Sequence, residues 1–425
     1  MWARMLMIWV RTRDSLWFIP ASLTLTAAAL AVGLVQADQH QWPPVDSGTP
    51  WLFGGAPQGA RAVLAAIAGS LITVTGVVFS ITIVALQLAS SQFTPRLLRD
   101  FSADRTNQTV LGVFIATFTY ALLVLRTVRA EAAEAEAFVP RLAVSVAIIL
   151  VLVSIGSLIY FIHHVANAIR VSSILQRLTT QTLRQVARRF PADLGTAEDA
   201  DSAPPPLPDG EAHAVAAATA GYLQAVDGRT LFQLGEDHRL TIRADCDLGD
   251  FLLPGQPLAT VVGEKGELDE ETAVAIRDAF VCGPERTPEQ DLGLGIIEIS
   301  DIALKALSPG INDPTTAMHC IDHLGQILLE IGGRTPPRDT RTRQGKVHFI
   351  ARHLSFSRAV ALAFDGIRHY GAADPMVAAR LHATLSTLMA LLPEARQPPL
   401  IAQQHALRRE SGAHAAAGAT HGKGS

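Results

Sequence analysis

Charge is what this chain of 425 residues has least of: 17% of its side chains are Asp, Glu, Lys or Arg, against roughly a quarter in an average soluble domain. Basic and acidic residues nearly cancel, 35 against 39. That balance excludes a high-charge disordered chain and the basic surface of a nucleic-acid-binding protein. Cysteine is scarce too. Cys246, Cys282 and Cys320 are the only three, too few for a disulfide framework, and they read as reduced thiols. From Ala62 to Pro95 no ionisable side chain occurs at all. With 49% apolar residues and a mean hydropathy of +0.26, the chain reads as a membrane protein.

Four segments have the length and character of a spanning helix, which needs about 20 apolar residues to cross roughly 30 Å of hydrocarbon. They lie at about 15–37, 62–89, 106–125 and 142–162. The second is longer than a bilayer requires, so it is expected to tilt or protrude. The first could instead be a signal peptide cleaved after Val35-Gln36-Ala37. Its apolar core of about 20 residues, against the 7 to 15 of a signal sequence, favours a retained anchor. Arginines set the orientation, because short cytoplasmic loops keep an excess of basic residues. Arg4, Arg11 and Arg13 precede the first span, Arg96, Arg99 and Arg105 separate the second from the third, and Arg170, Arg177 and Arg184 follow the fourth. The 38–60 loop carries no basic residue at all. Both termini are therefore expected in the cytoplasm, in a multi-pass membrane protein with membrane lipids as partners.

A transmembrane domain, 1–169, is thus followed by four cytoplasmic segments. Residues 170–190 alternate Ile174, Leu175, Leu178 and Leu183 with arginines, an amphipathic helix suited to the membrane surface. With the run Pro204-Pro-Pro206 and Pro208 they form a 170–210 helix and linker. Residues 211–266 read as a small β module, with strands at Tyr222–Val226 and Leu240–Ala244 and a turn at Asp227-Gly228. Its Gly249-Asp-Phe251 and Gly255-Gln-Pro-Leu258 suggest a barrel like that of biotinyl or lipoyl carriers, without their lysine tip. Residues 267–395 return to helical periodicity, and 396–425 read as a disordered tail. The fold class is a four-helix membrane domain plus a cytoplasmic α+β domain.

Two stretches are more specific. Gln87-Leu-Ala-Ser-Ser-Gln-Phe-Thr-Pro-Arg96 and Ala303-Leu-Lys-Ala-Leu-Ser-Pro-Gly-Ile-Asn-Asp-Pro-Thr-Thr-Ala317 resemble the signatures of a bacterial family of predicted membrane proteins, domain of unknown function 2254. Gly283-Pro-Glu-Arg-Thr287, Gln290-Asp291 and the two glycine-containing pieces of the β module support it, and the likeness runs to about Pro393. The resemblance implies an inner-membrane protein with a cytoplasmic C-terminal half. It brings no catalytic residue and no cofactor.

Candidate sites come from polar residues in unusual places. Ser70, Thr73, Ser80 and Gln87 trace one stripe of the second span, with Gly69 and Gly76 beside them; the stripe could line a pore or pack helices. No carboxylate or lysine lies within a span, which argues against a proton relay or an ion-coupled transporter. In the cytoplasmic half a helix over 288–307 is expected to stop at Ser308-Pro309-Gly310, with Gly310 at positive φ. Asp313 and Pro314 then open the next helix. Asn312 and Asp313 could also touch a ligand or subunit. Asp291, Glu298, Asp301 and Lys305 share a helix face, solvated or cation-binding. His319 and His323 have zinc-pair spacing but lack the accompanying glutamate. No metal, catalytic set or phosphate loop is implied. The readings rank as a homo-oligomeric, channel-like protein with a cytoplasmic assembly or gating domain first, a membrane-anchored scaffold or sensor second, and an enzyme third.

Overall fold

Aspartates and a proline fix the starts of three of the four long apolar helices. In the computed structural model, which describes residues 17–40, 52–92, 104–130, 137–168, 170–189, 207–263, 268–334, 340–343 and 346–421, four helices are long and apolar enough to cross a membrane. They are α1 (Phe18–Gln39), α2 (Pro57–Gln92), α3 (Arg105–Thr127) and α4 (Arg141–Ala168). Pro57 opens α2 where its missing N–H has no helical acceptor to lose. Asp104 caps α3 by accepting the Thr106 N–H at 2.8 Å. Asp38, in the last turn of α1, accepts the Leu142 and Ala143 N–H groups at 3.1 Å and so caps α4.

The chain divides into two compact units, Met1–Arg170 and Val171–Ser425. In the first, α3 packs against the other three helices. Pro20 and Leu23 of α1 come so close to Gly112 that a methyl there would collide. From α2 the row Ala60, Leu64, Ile67, Leu71, Val78 and Ala85 turns inward, repeating at three, four and seven as a buried helical face does. The Tyr120 hydroxyl donates to the Ala143 carbonyl at 2.9 Å, and Ser154 and Thr117 bond across α3 and α4 at 3.2 Å. The second half of the Gln87–Arg96 signature lies outside the described residues, as do the loops of the first unit at 41–51 and 131–136.

The second unit mixes sheet and helix. After α5 (Val171–Arg189) come β1 (Ala212–Ala216), β2 (Gly221–Val226), α6 (Gly228–Asp237), β3 (Leu240–Ala244), β4 (Phe251–Leu252), β5 (Pro257–Gly263), α7 (Glu270–Asp278) and β6 (Phe280–Gly283). Then follow α8 (Leu292–Ala306), α9 (Pro314–Gly333), β7 (Thr340–Arg343), β8 (Lys346–Ile350), α10 (Phe356–Gly371), α11 (Pro375–Leu391) and α12 (Gln397–His421). A five-stranded sheet has the order β1-β5-β3-β8-β7, antiparallel except for the β3–β8 pair; a three-stranded antiparallel sheet has the order β4-β2-β6. Leu223, Leu231, Ile242, Leu258, Ile276 and Phe280 fill the core of the two sheets. Ile296, Ile299, Ile321, Leu328, Phe364 and Leu385 are buried among the helices α8 to α11.

Several expectations need correction. The β module is not a barrel: two small sheets form, neither closed, and one recruits β7 and β8 from the stretch read as helical. The turn at Asp227-Gly228 leads into a helix rather than straight to the next strand: Asp227 caps α6 through the Thr230 N–H at 3.1 Å. The amphipathic α5 does not present its apolar side to a membrane. Leu175, Leu178 and Val186 are buried against α8 and α9, and Thr182 packs onto Gly295. The tail expected to be disordered carries α12, whose Leu400 and Leu407 are buried.

Candidate functional site

In α2 the polar stripe faces away from the unit's own core. Ser70, Thr73, Ser80 and Gln87 are all exposed, opposite the buried row that contains Leu71 and Val78. The hydroxyls bond within the helix: Ser70 donates to the Ile67 carbonyl at 3.1 Å, Thr73 to Gly69 at 3.0 Å and Ser80 to Gly76 at 2.9 Å. They can therefore face hydrocarbon at small cost. Gly69 and Gly76 share the exposed face, and a side chain added at either would meet nothing within 4 Å. Among the described residues nothing inside the unit explains glycine at these two positions.

A second place gathers charge. A cavity of about 70 Å³ in the second unit is lined by the 247–250 loop, by Arg286, by Gln290 to Gly293 at the start of α8, and by Arg352 to Leu354 and Arg358 near the start of α10. Asp291 is its buried anchor. Its carboxylate caps α8 by accepting the Leu294 N–H at 3.1 Å, and takes a 2.6 Å bond from Arg286. Burial still pushes the Asp291 carboxyl above its usual range, against the pull of that guanidinium. Gly249 sits at φ +86°, and a methyl there would strike both the Arg286 guanidinium and the Asp291 carboxylate. Gln290 clamps β2 by accepting the Val226 N–H at 3.1 Å. On the opposite wall Arg352 pairs with Asp247 at 3.0 Å and donates to the Asp245 carbonyl at 2.9 Å. Burial raises the Asp247 carboxyl, with Arg352 opposing.

The other expected residues lie elsewhere. Asn312, Asp313 and Asp301 do not line this cavity. Asn312 and Asp313 form the corner between α8 and α9: the Asp313 N–H donates to the Ala306 carbonyl at 2.8 Å, while Asp313 caps α9 through the Thr316 N–H at 3.0 Å and hydroxyl at 2.6 Å. Those bonds hold the Asp313 carboxyl below its usual range. The residue at positive φ is Asn312, at 49°, and Gly310 is not among those that adopt it. The face of Asp291, Glu298, Asp301 and Lys305 is split, because α8 begins at Leu292 and its cap Asp291 is buried while Lys305 is exposed. Among the described residues no three His, Cys, Asp or Glu side chains gather as a metal site. His323 instead bonds the Thr179 hydroxyl of α5 at 2.9 Å, and burial lowers its pKa.

The family described as predicted membrane protein (DUF2254) matches residues 13–387. Uncharacterized proteins of Mycobacterium bovis and of two Mycobacterium tuberculosis strains are each 35% identical over 386 residues, covering 88% of this chain and 72% of theirs. The chain belongs to the DUF2254 family. No solved structure matches it. The DUF2254 match takes in all four apolar helices and both cavity walls, and ends within α11. Three pieces quoted for the resemblance, around Gly249, Arg286 and Gln290-Asp291, meet at the cavity. Sequence reading saw these pieces but missed their convergence, and it missed Arg352 and Arg358 altogether, which no local pattern marks. It also missed Asn107 in α3. That side chain is 5% exposed, and neither amide atom has a hydrogen-bond partner among the described residues.

Proposed function

We propose that the protein assembles in the bacterial inner membrane as a homo-oligomer whose α2 helices meet at a shared axis and line a narrow permeation path. The observation that carries this reading is the outward face of α2. Glycine at 69 and 76 opens a surface that, among the described residues, no other helix of the first unit uses, and small residues let helices approach closely in lipid. Gln87 adds an exposed amide on that face, whose burial in hydrocarbon without a partner would cost several kcal/mol, roughly. An axial position relieves that cost. Both termini lie in the cytoplasm in this reading, supported by the arginine distribution.

A second reading, a membrane-anchored sensor or scaffold, is favoured by the charged cavity around Arg286, Asp291 and Arg352. There the spans tether and the second unit binds. Short bifunctional thiol reagents separate copies that meet through α2 from copies that do not. Cysteines placed at Thr73 and Ser80 are expected to cross-link between subunits, whereas one at Val78, 1% exposed inside the unit, is expected to stay monomeric on gels. Native thiols interfere little: Cys246 and Cys320 are buried, burial pushes the Cys246 thiol up to about 12, and the half-buried Cys282 can be replaced by serine. Cross-linking at Val78 alone, or at none of the three, removes the shared axis.

A further inference from the structure

A groove of about 500 Å³ runs between α3 and α4 on the outer surface of the first unit. Its floor is apolar, with Val110 and Val153, and Gly156 keeps it open: a side chain added there would meet nothing within 4 Å. The other end is polar. Arg105 and Thr106 begin α3, and Tyr160, 56% exposed, stands opposite on α4. Among the described residues Arg105 has no ion-pair or hydrogen-bond partner. The nearest carboxylate in sequence, Asp104, is already engaged by the Thr106 N–H and by His164 Nε2 at 2.6 Å. A guanidinium without a counter-charge among the described residues thus sits at the mouth of an apolar slot.

We infer that this groove is a binding site for an anionic phospholipid, with one acyl chain against Val110, Gly156 and Val153 and the phosphate at Arg105. Both helices are apolar enough to span, so the slot opens onto lipid. Its polar end, where an exposed tyrosine and arginine stand together, matches the headgroup level, where aromatic and basic side chains anchor spanning helices. Charge complementarity selects the occupant. An arginine attracts an anionic headgroup at a membrane surface, while a second copy's apolar helix would leave Arg105 without a counterion. The site lies on α3 and α4, so it stands whether or not α2 forms an oligomer axis.

Native mass spectrometry of the full-length protein in detergent, given equal phosphatidylglycerol and phosphatidylcholine with matched acyl chains, tests the inference. Phosphatidylglycerol is expected to be retained in preference. Arg105→Gln should reduce that preference about fivefold, the scale of one basic residue at a membrane surface, and Arg105→Lys should keep most of it. Gly156→Leu should lower retention of both lipids by filling the slot, and its side chain enters open space, so folding is not at stake. An unchanged preference in Arg105→Gln together with unchanged retention in Gly156→Leu overturns the site. So does a Gly156→Leu variant that alters the oligomeric state and leaves lipid retention intact, since a second copy would then cover the groove.

Discussion

Asn312 holds the backbone conformation that glycine most readily adopts, although Gly310 stands two residues before it. The Asn312 N–H donates to the Ser308 carbonyl at 2.9 Å while the chain turns back so that Asp313 reaches Ala306. Closing that loop requires positive φ at residue 312, where asparagine is tolerated better than any β-branched residue. Asn312→Val should therefore destabilise the second unit by more than about 1 kcal/mol, whereas Gly310→Ala should be close to neutral, since its added methyl meets nothing within 4 Å. Thermal unfolding followed by circular dichroism reads both. A large loss from Gly310→Ala with none from Asn312→Val would mean that the corner is built around the glycine. The sequence marks a stop at Ser308-Pro309-Gly310 but does not tell which residue bears the turn, because that depends on where the Asp313 N–H finds its acceptor. Gly249 is a parallel case. Its positive φ and its neighbours Arg286 and Asp291 belong to segments about 40 residues apart, so only the fold shows why glycine stands there.

Helices were legible where their own periodicity or caps declare them. Four apolar helices lie within a few residues of the expected segments apart from longer ends on α2 and α4, and Asp313 with Pro314 opens α9. Partnerships between elements were not legible. The pairing of β3 with β8 joins residues about 100 positions apart, and the apolar face of α5 fits a membrane surface as well as it fits α8 and α9. The cap of α9 gives a test at this scale. Asp313→Ala removes a carboxylate that accepts two bonds from Thr316, which should loosen the first turn of α9 by about 1 kcal/mol at neutral pH. The Asp313 carboxyl is held below its ordinary 3.8, so its contribution is complete above that pH and disappears as pH falls through the lowered value. Hydrogen exchange across Pro314–Gly333 should therefore show a difference between wild type and variant at pH 7 that shrinks below pH 3.8. A difference independent of pH would assign the effect to something other than the ionised cap.

For the whole molecule, membrane character was plain from charge-free length, because a bilayer demands about 20 apolar residues whatever surrounds them. The proposed topology rests on the arginines, and it predicts that a cysteine at Ser47 is labelled by an impermeant reagent from outside spheroplasts and one at Ser202 is not. Both positions lie outside the described residues, and labelling at Ser202 would reverse the orientation. The sequence leaves the use of the outer face of α2 open, because a stripe of small and polar residues suits a packing face and a water-lined one alike. If this face lines a path, the purified protein should carry current in planar bilayers. That conductance should fall when Thr73→Cys and Ser80→Cys proteins meet a bulky charged thiol reagent and stay unaffected in Val78→Cys. No conductance from the wild type, or equal insensitivity of all three variants, would contradict it and leave α2 as a packing surface.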